Sequence, residues 1–211
     1  MTKHIIKGIY AITPDWQDTQ NLLIKTDEIL SAGVSVLQYR NKLANNTLKL
    51  EQAKRLINLC AHYHVPLIIN DDVELCNILN ADGIHLGKDD NNIEEVRYSI
   101  NNDIIVGISC YNSMERVKEM LNKDCDYIAV GACFPTTTKP QAPHASTDFV
   151  SMVVDVAEKP VVAIGGITLH NCESVAQTRV NAIAMINTLY SSVDVDKVIN
   201  NINTILRKYE K

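Results

Sequence analysis

Residues 66–87 read PLIINDDVELCNILNADGIHLG. The segment opens on a short apolar run, PLIIND (66–71), with no polar alternation. Such a run suits a strand buried on both faces, as in a parallel sheet. A short helical pattern follows Asp72, which has the chemistry of an N-cap. A second apolar run, DGIHLG (82–87), completes the unit. Strand, helix and strand joined by such short connections make a crossover between parallel strands.

The same alternation extends in both directions. Before it stand the runs IIKGIYAIT (5–13) and VSVLQYR (34–40), and after it DIIVGIS (103–109), DYIAVGA (126–132), PVVAIGG (160–166) and NAIAMIN (181–187). Helical patterns separate them at 18–33, 47–64, 112–122, 146–158, 167–178 and 194–209, with a further short one after Asn92. Asn112 and Ser113 both qualify as the cap of the 112–122 helix. Eight such units in 211 residues predict a compact (β/α)8 TIM barrel of eight parallel strands, one domain over 1–211. An open doubly wound sheet would carry a glycine-rich fingerprint after its first strand, and AITPDW has none.

Composition narrows the partners. Hydrophobic residues make up 46% and charged residues 21%, an ordinary globular balance. A net charge of −5 argues against nucleic acid, so any anion site must be a local cluster. No apolar run reaches membrane-spanning length, and the opening MTKHIIKGIYAITPD is too short and polar for a signal peptide. None of the six cysteines has CxxC spacing, so the plain reading is free thiols in a reducing cytoplasm.

A barrel of this kind works at the C-terminal ends of its strands. Those ends carry Gln38, Arg40 and Lys42, then Asn70, Asp71 and Asp72, then His85, Lys88, Asp89 and Asp90. Ser109 ends the fifth strand, Thr136, Thr137, Thr138 and Lys139 follow the sixth, Gly165 and Gly166 the seventh, and Ile186 and Asn187 the eighth. Arg40, Lys42 and Lys139 can surround a polyanion. Two carboxylates, Asp71 and Asp90, beside such cations suit Mg2+ shared with substrate phosphate. Gly165 and Gly166 would let backbone N–H groups approach a second phosphate near the next helix start. Each signal has a plainer reading. Arg40 and Lys42 could form a solvated face, Asp72 and Asp90 could cap helices, and the glycines could serve close packing. TTTK could be a polar turn, and His85 reads as a hydrogen-bonded barrel residue rather than a base.

Taken together, YAITPD, QYRNK, LIINDDVELC, ADGIHLGKDD, VGISCY, DYIAVGACFPTTTKPQAP and VVAIGGIT resemble the thiamine phosphate synthase family, in order, over residues 10 to about 190. The resemblance implies a (β/α)8 barrel joining a pyrimidine methylene diphosphate to a thiazole phosphate, with release of pyrophosphate. It implies that Gln38, Arg40, Lys42, Asn70, Ser109 and Lys139 hold the pyrimidine diphosphate. Of these, Arg40, Lys42, Ser109 and Lys139 form the catalytic set. Asp71 and Asp90 would bind Mg2+, while Thr136, Thr137, Thr138, Gly166, Ile186 and Asn187 would hold the thiazole phosphate. The partners are thus two phosphorylated small molecules, and a homodimer is an expectation from the fold. The chain departs from the family pattern at Lys88, which adds local charge without removing a ligand, and over Thr178–Ala182 and at Asn187, which bear on the monophosphate site. A thiazole tautomerase-type barrel and a non-catalytic thiazole-phosphate binder are the rivals.

Overall fold

The computed structural model describes residues 6–87, 93–100 and 104–210. Its strands are β1 Gly8–Ile12, β2 Val36–Tyr39, β3 Leu67–Asn70, β4 Gly83–Leu86, β5 Ile105–Tyr111, β6 Tyr127–Gly131, β7 Val161–Ile164 and β8 Ala182–Met185. They pair in chain order, all parallel, and β8 pairs with β1 to close the barrel. The helices among the described residues are α1 Thr19–Ser31, α2 Asn46–Tyr63, α3 Val73–Leu79, α4 Ile93–Ser99, α5 Met114–Leu121, α6 Thr147–Val156, α7 Cys172–Ala176, α8 Asn187–Tyr190 and α9 Val195–Tyr209.

Closure explains the missing polar alternation. Successive strand residues point to opposite faces. Tyr10, Ile12, Val36, Ile68, Tyr127 and Val162 fill the barrel interior, while Ile9, Ala11, Leu37, Leu67 and Ile69 pack against the helices. Both faces are therefore apolar. A fully buried Leu or Ile contributes about 1.5–3 kcal/mol, so the two layers together carry most of the folding drive. Helix starts follow the sequence signals. Asp18, Asn45, Asp72, Ser113, Ser146 and Asp194 each accept a hydrogen bond from the backbone N–H three residues on. Each such cap contributes about 1 kcal/mol. Ser113, not Asn112, caps α5.

Three expectations need correcting. The helix expected over 167–178 shrinks to α7 because Asn171 accepts from Thr168 N (2.7 Å) and donates to Gly166 O (3.0 Å). These local bonds hold 166–171 as a turn. β5 runs past Ser109 to Tyr111, with a register shift against β6 between those residues. β8 ends at Met185, and Asn187 opens the four-residue α8.

Candidate active site

Eleven of the twelve residues expected to hold substrate line one cavity of about 310 Å3. They are Gln38, Arg40, Asn70, Ser109, Thr136, Thr137, Thr138, Lys139, Gly166, Ile186 and Asn187. Lys42 and Asp71 are not in that lining. They face each other beside it, Lys42 Nζ lying 3.0 Å from Asp71 Oδ2. Asp90, with Lys88 and Asp89, lies outside the described residues.

Arg40 is held from three sides. The Thr13 hydroxyl donates to Arg40 O and accepts from Arg40 N, both at 2.8 Å. Asp15 accepts from Arg40 Nη1 through both carboxylate oxygens, at 3.0 and 2.9 Å, and from the backbone N of Lys42 at 2.6 Å. Below them Asn41 and Gln52 both donate to Trp16 O, and Tyr39 donates to Gln52 Oε1. A buried, satisfied polar network of this kind fixes one loop geometry. Asp15 went unread in the sequence because it meets Arg40 only once β1 and β2 pair. Removing one partner of a largely buried ion pair leaves a charge uncompensated. Asp15→Ala should therefore cost about 2 kcal/mol, reduced for the half-exposed carboxylate, and lower the melting temperature. The same variant should raise the KM for the diphosphate substrate that the resemblance implies, measured by initial rates.

The TTTK loop is clamped at its base. Cys133 N donates to Ile164 O (2.9 Å), Phe134 N to Gly165 O (3.0 Å), and Ala132 N to Pro143 O (2.9 Å). Asn187 Nδ2 donates to Thr137 Oγ1 at 3.2 Å, so the loop after β6 touches the start of α8. Lys139 Nζ sits 5.8 Å from the centre of the Tyr111 ring, a cation–π contact. The β5 register shift precedes Tyr111, which lines the cavity. Gly165 and Gly166 do border the cavity, but the helix after them begins only at Cys172. The helix start beside the cavity is that of α8. Asp72 is a cap, accepting from Leu75 N at 2.9 Å.

Arg116 of α5 gave no sequence signal. It donates from Nε to Ser109 O (2.8 Å) and from Nη2 to Gly87 O (3.1 Å), tying the ends of β4 and β5 together. His85 is hydrogen-bonded inside the barrel, through Nδ1 to Tyr127 Oη and through Nε2 to Ser109 Oγ, both at 2.9 Å. Burial pushes its imidazole down to about 4 from 6.5, with Asp71 opposing and Lys139 adding to the shift. Unfolded chains then take up a proton that the folded state refuses between those pH values. Stability is whole above about pH 6.5 and falls as pH drops towards 4, by on the order of 3 kcal/mol. Urea unfolding in EDTA checks this, and His85→Gln should flatten that part of the profile.

The departures before β8 lie at the opposite end of the strand from the cavity. Thr178 Oγ1 donates to Val175 O, and Arg179 takes a left-handed φ of 62°. Asn181 accepts from Val161 N through its side chain, donates its own N–H to Val161 O, and accepts from Gly8 N through its carbonyl. Asn181 thus joins β7, β8 and β1 at the N-terminal face, where a barrel of this type gains stability rather than activity. Of the family departures among the described residues, Asn187 alone reaches the cavity.

Among the described residues, no helix is long and apolar enough to cross a membrane. All six cysteines are free and buried.

Comparison with known proteins identifies the family. The family model described as thiamine monophosphate synthase matches residues 9–189. The thiamine-phosphate synthase of Methylobacillus flagellatus is 42% identical over 199 residues, covering 93% of this chain and 95% of its own. That of an Azoarcus species is 39% identical, covering 90% and 92%. The solved thiamine phosphate pyrophosphorylase from Pyrococcus furiosus superposes with a TM-score of 0.87 at 30% identity, over 98% of each chain. The barrel, the residue order at the strand ends and these relatives place the chain in one group: it belongs to the thiamine monophosphate synthase family.

Proposed function

We propose that this mouth joins 4-amino-2-methyl-5-(diphosphooxymethyl)pyrimidine to 4-methyl-5-(2-phosphoethyl)thiazole, or its carboxylated form. The products are thiamine phosphate and pyrophosphate. The observation that supports it best is the convergence of eleven of the twelve expected substrate-binding residues, two of them cations, on one cavity.

The C–O bond to the diphosphate breaks first, and the aminopyrimidine delocalises the positive charge left on its methylene. The thiazole nitrogen then forms the new C–N bond with its lone pair. The electron pair of the broken bond leaves on pyrophosphate. No protein nucleophile is required. Arg40, Lys42 and Lys139 stabilise the negative charge that grows on the leaving group, which is where preorganised charges accelerate a reaction most. Gln38, Asn70 and Ser109 orient the ring. Thr136, Thr137 and Thr138, with Gly166, Ile186 and Asn187, seat the thiazole phosphate, so both reactants are aligned before reaction.

The proposal includes Mg2+, which Asp71 and Asp90 would hold; of the two, only Asp71 is among the described residues. Such an ion would be held mostly by substrate phosphate and water, with few protein oxygens. When bound, it would neutralise diphosphate charge. Asp71 has a left-handed φ of 62° and a half-buried carboxylate beside the mouth, already within reach of a cation in Lys42. The proposal includes a homodimer working in the cytoplasm.

Purified protein with both substrates and Mg2+ should form thiamine phosphate and pyrophosphate in equal amounts, and EDTA should abolish both. Binding of the thiazole phosphate without any product would instead favour a tautomerase or a binding protein. Light scattering on the same sample reads the oligomeric state.

A further inference from the structure

Beneath the mouth, five strands contribute to one unbroken line of hydrogen bonds. Gln38 Nε2 donates to Tyr10 Oη at 2.9 Å. Tyr10 Oη and Tyr127 Oη are 2.7 Å apart. Tyr127 Oη meets His85 Nδ1, and His85 Nε2 meets Ser109 Oγ. Tyr10 and Tyr127 are fully buried, and Tyr10 and His85 also border the cavity. The two ends, Gln38 and Ser109, both open on the cavity.

Proton counting leaves this line two arrangements. Each hydroxyl has one hydrogen, and a neutral imidazole has one N–H. With Gln38 donating to Tyr10, Tyr10 donates to Tyr127 and Tyr127 to His85 Nδ1. His85 then carries its hydrogen on Nε2 and gives it to Ser109, whose own hydrogen is left for a ligand. Gln38 keeps Oε1 for the ligand. That oxygen is open to the cavity, since no buried side-chain oxygen or nitrogen among the described residues lacks a partner and Oε1 has none in the protein. The reverse arrangement turns every member over at once. Gln38 would then present N–H groups and Ser109 only lone pairs.

We propose that the Gln38–Tyr10–Tyr127–His85–Ser109 line is a polarity lock that makes Gln38 an acceptor and Ser109 a donor towards the ligand, and thereby selects a 4-aminopyrimidine over its 4-hydroxy counterpart. The reading of the ligand as an aminopyrimidine rests on the proposed function. The amino group of such a ring donates, as an acceptor at Gln38 requires, and its ring nitrogens accept, as a donor at Ser109 requires. The 4-hydroxy compound in its oxo form offers the opposite pair, a carbonyl acceptor and an N–H donor. Tyr10, Tyr127 and His85 touch no reacting atom in this scheme and are positioning residues. Their rings also pack, with Tyr127 stacked on His85 at 5.5 Å and edge-on to Tyr10 at 5.9 Å. Tyr127→Phe and Tyr10→Phe keep that packing and remove only hydroxyls, each breaking the line at a different point.

The test has two arms. In the first, nitrogen-15 NMR of the ligand-free protein reads the His85 tautomer. The expected result is hydrogen on Nε2 in the unsubstituted protein and a tautomer mixture in Tyr127→Phe. Hydrogen on Nδ1 in the unsubstituted protein would overturn the lock. In the second, calorimetry with Mg2+ compares the aminopyrimidine diphosphate with its 4-hydroxy counterpart. The ratio of their affinities should fall about tenfold in Tyr127→Phe and in Tyr10→Phe, the scale of one misdirected hydrogen bond. A ratio unchanged in both would also overturn it. If Tyr127→Phe does not fold, Tyr10→Phe reads the same ratio. If the unsubstituted protein binds neither compound, the proposed function fails, and the tautomer still decides the lock.

Discussion

Lys139→Ala should lower turnover about 10²–10³-fold, the range found when one preorganised charge-stabilising group is removed. Its melting temperature should stay near that of the unsubstituted protein. The two halves of the expectation come from different parts of the structure. Lys139 is exposed at the cavity rim, and its ammonium lies over Tyr111 rather than in the core. An exposed cation–π contact contributes about 0.5–1 kcal/mol, so little folding free energy is at stake. The leaving pyrophosphate, by contrast, gains charge as the C–O bond stretches. A cation that meets this charge favours the transition state over the ground state and so acts on kcat. Single-turnover rates, which exclude product release, are the measurement to make. Near-normal single-turnover rates would remove Lys139 from the chemical step.

Gly166→Ala should damage both stability and the thiazole seat with a single methyl group. Gly166 has a φ of +61°, and a Cβ there would stand 2.4 Å from Pro135 O and 2.7 Å from Phe134 O. Both obstacles are backbone atoms at the base of the TTTK loop, so no flexible side chain can step aside. The left-handed conformation costs about 1–2 kcal/mol for an ordinary residue, and overpacking adds about 1–3 kcal/mol. The melting temperature should fall by roughly 5–15 °C. Because the relief available is movement of 134–138, the KM for the thiazole phosphate should rise more than that for the pyrimidine diphosphate. Thermal unfolding and two-substrate kinetics check both points. Equal rises in the two constants would mean that the loop and the thiazole seat are not joined through Gly166.

Much of the barrel was legible because its signals are local. A strand buried on both faces shows as an unbroken β-branched run, as in LIIN and VVAI, and Asp18, Asp72 and Ser113 mark the starts of the next helices. The strand-end residues were legible because position along a barrel strand specifies which rim a side chain joins. What stayed hidden depends on proximity across the fold. Asp15 finds Arg40 only after two strands pair. Tyr10 and Tyr127, 117 residues apart, read as ordinary core aromatics until their hydroxyls meet. The turn at 166–171 passed for helix because Asn171 satisfies the backbone in a way that periodicity does not register.

The underside of β8 has a wider meaning. Over the stretch that departs from the family pattern, Thr178 and Arg179 bond back to Val175 and Ala176, and Asn181 bonds across to Val161 and Gly8. The seam between first and last strands is thus sewn from below, by atoms that never meet a substrate. Such a molecule can be rewritten on one rim while its chemistry persists on the other. For anyone building on this barrel, the exposed Arg179 turn offers a place to fuse a tag, a linker or a second enzyme without trespassing on the reaction.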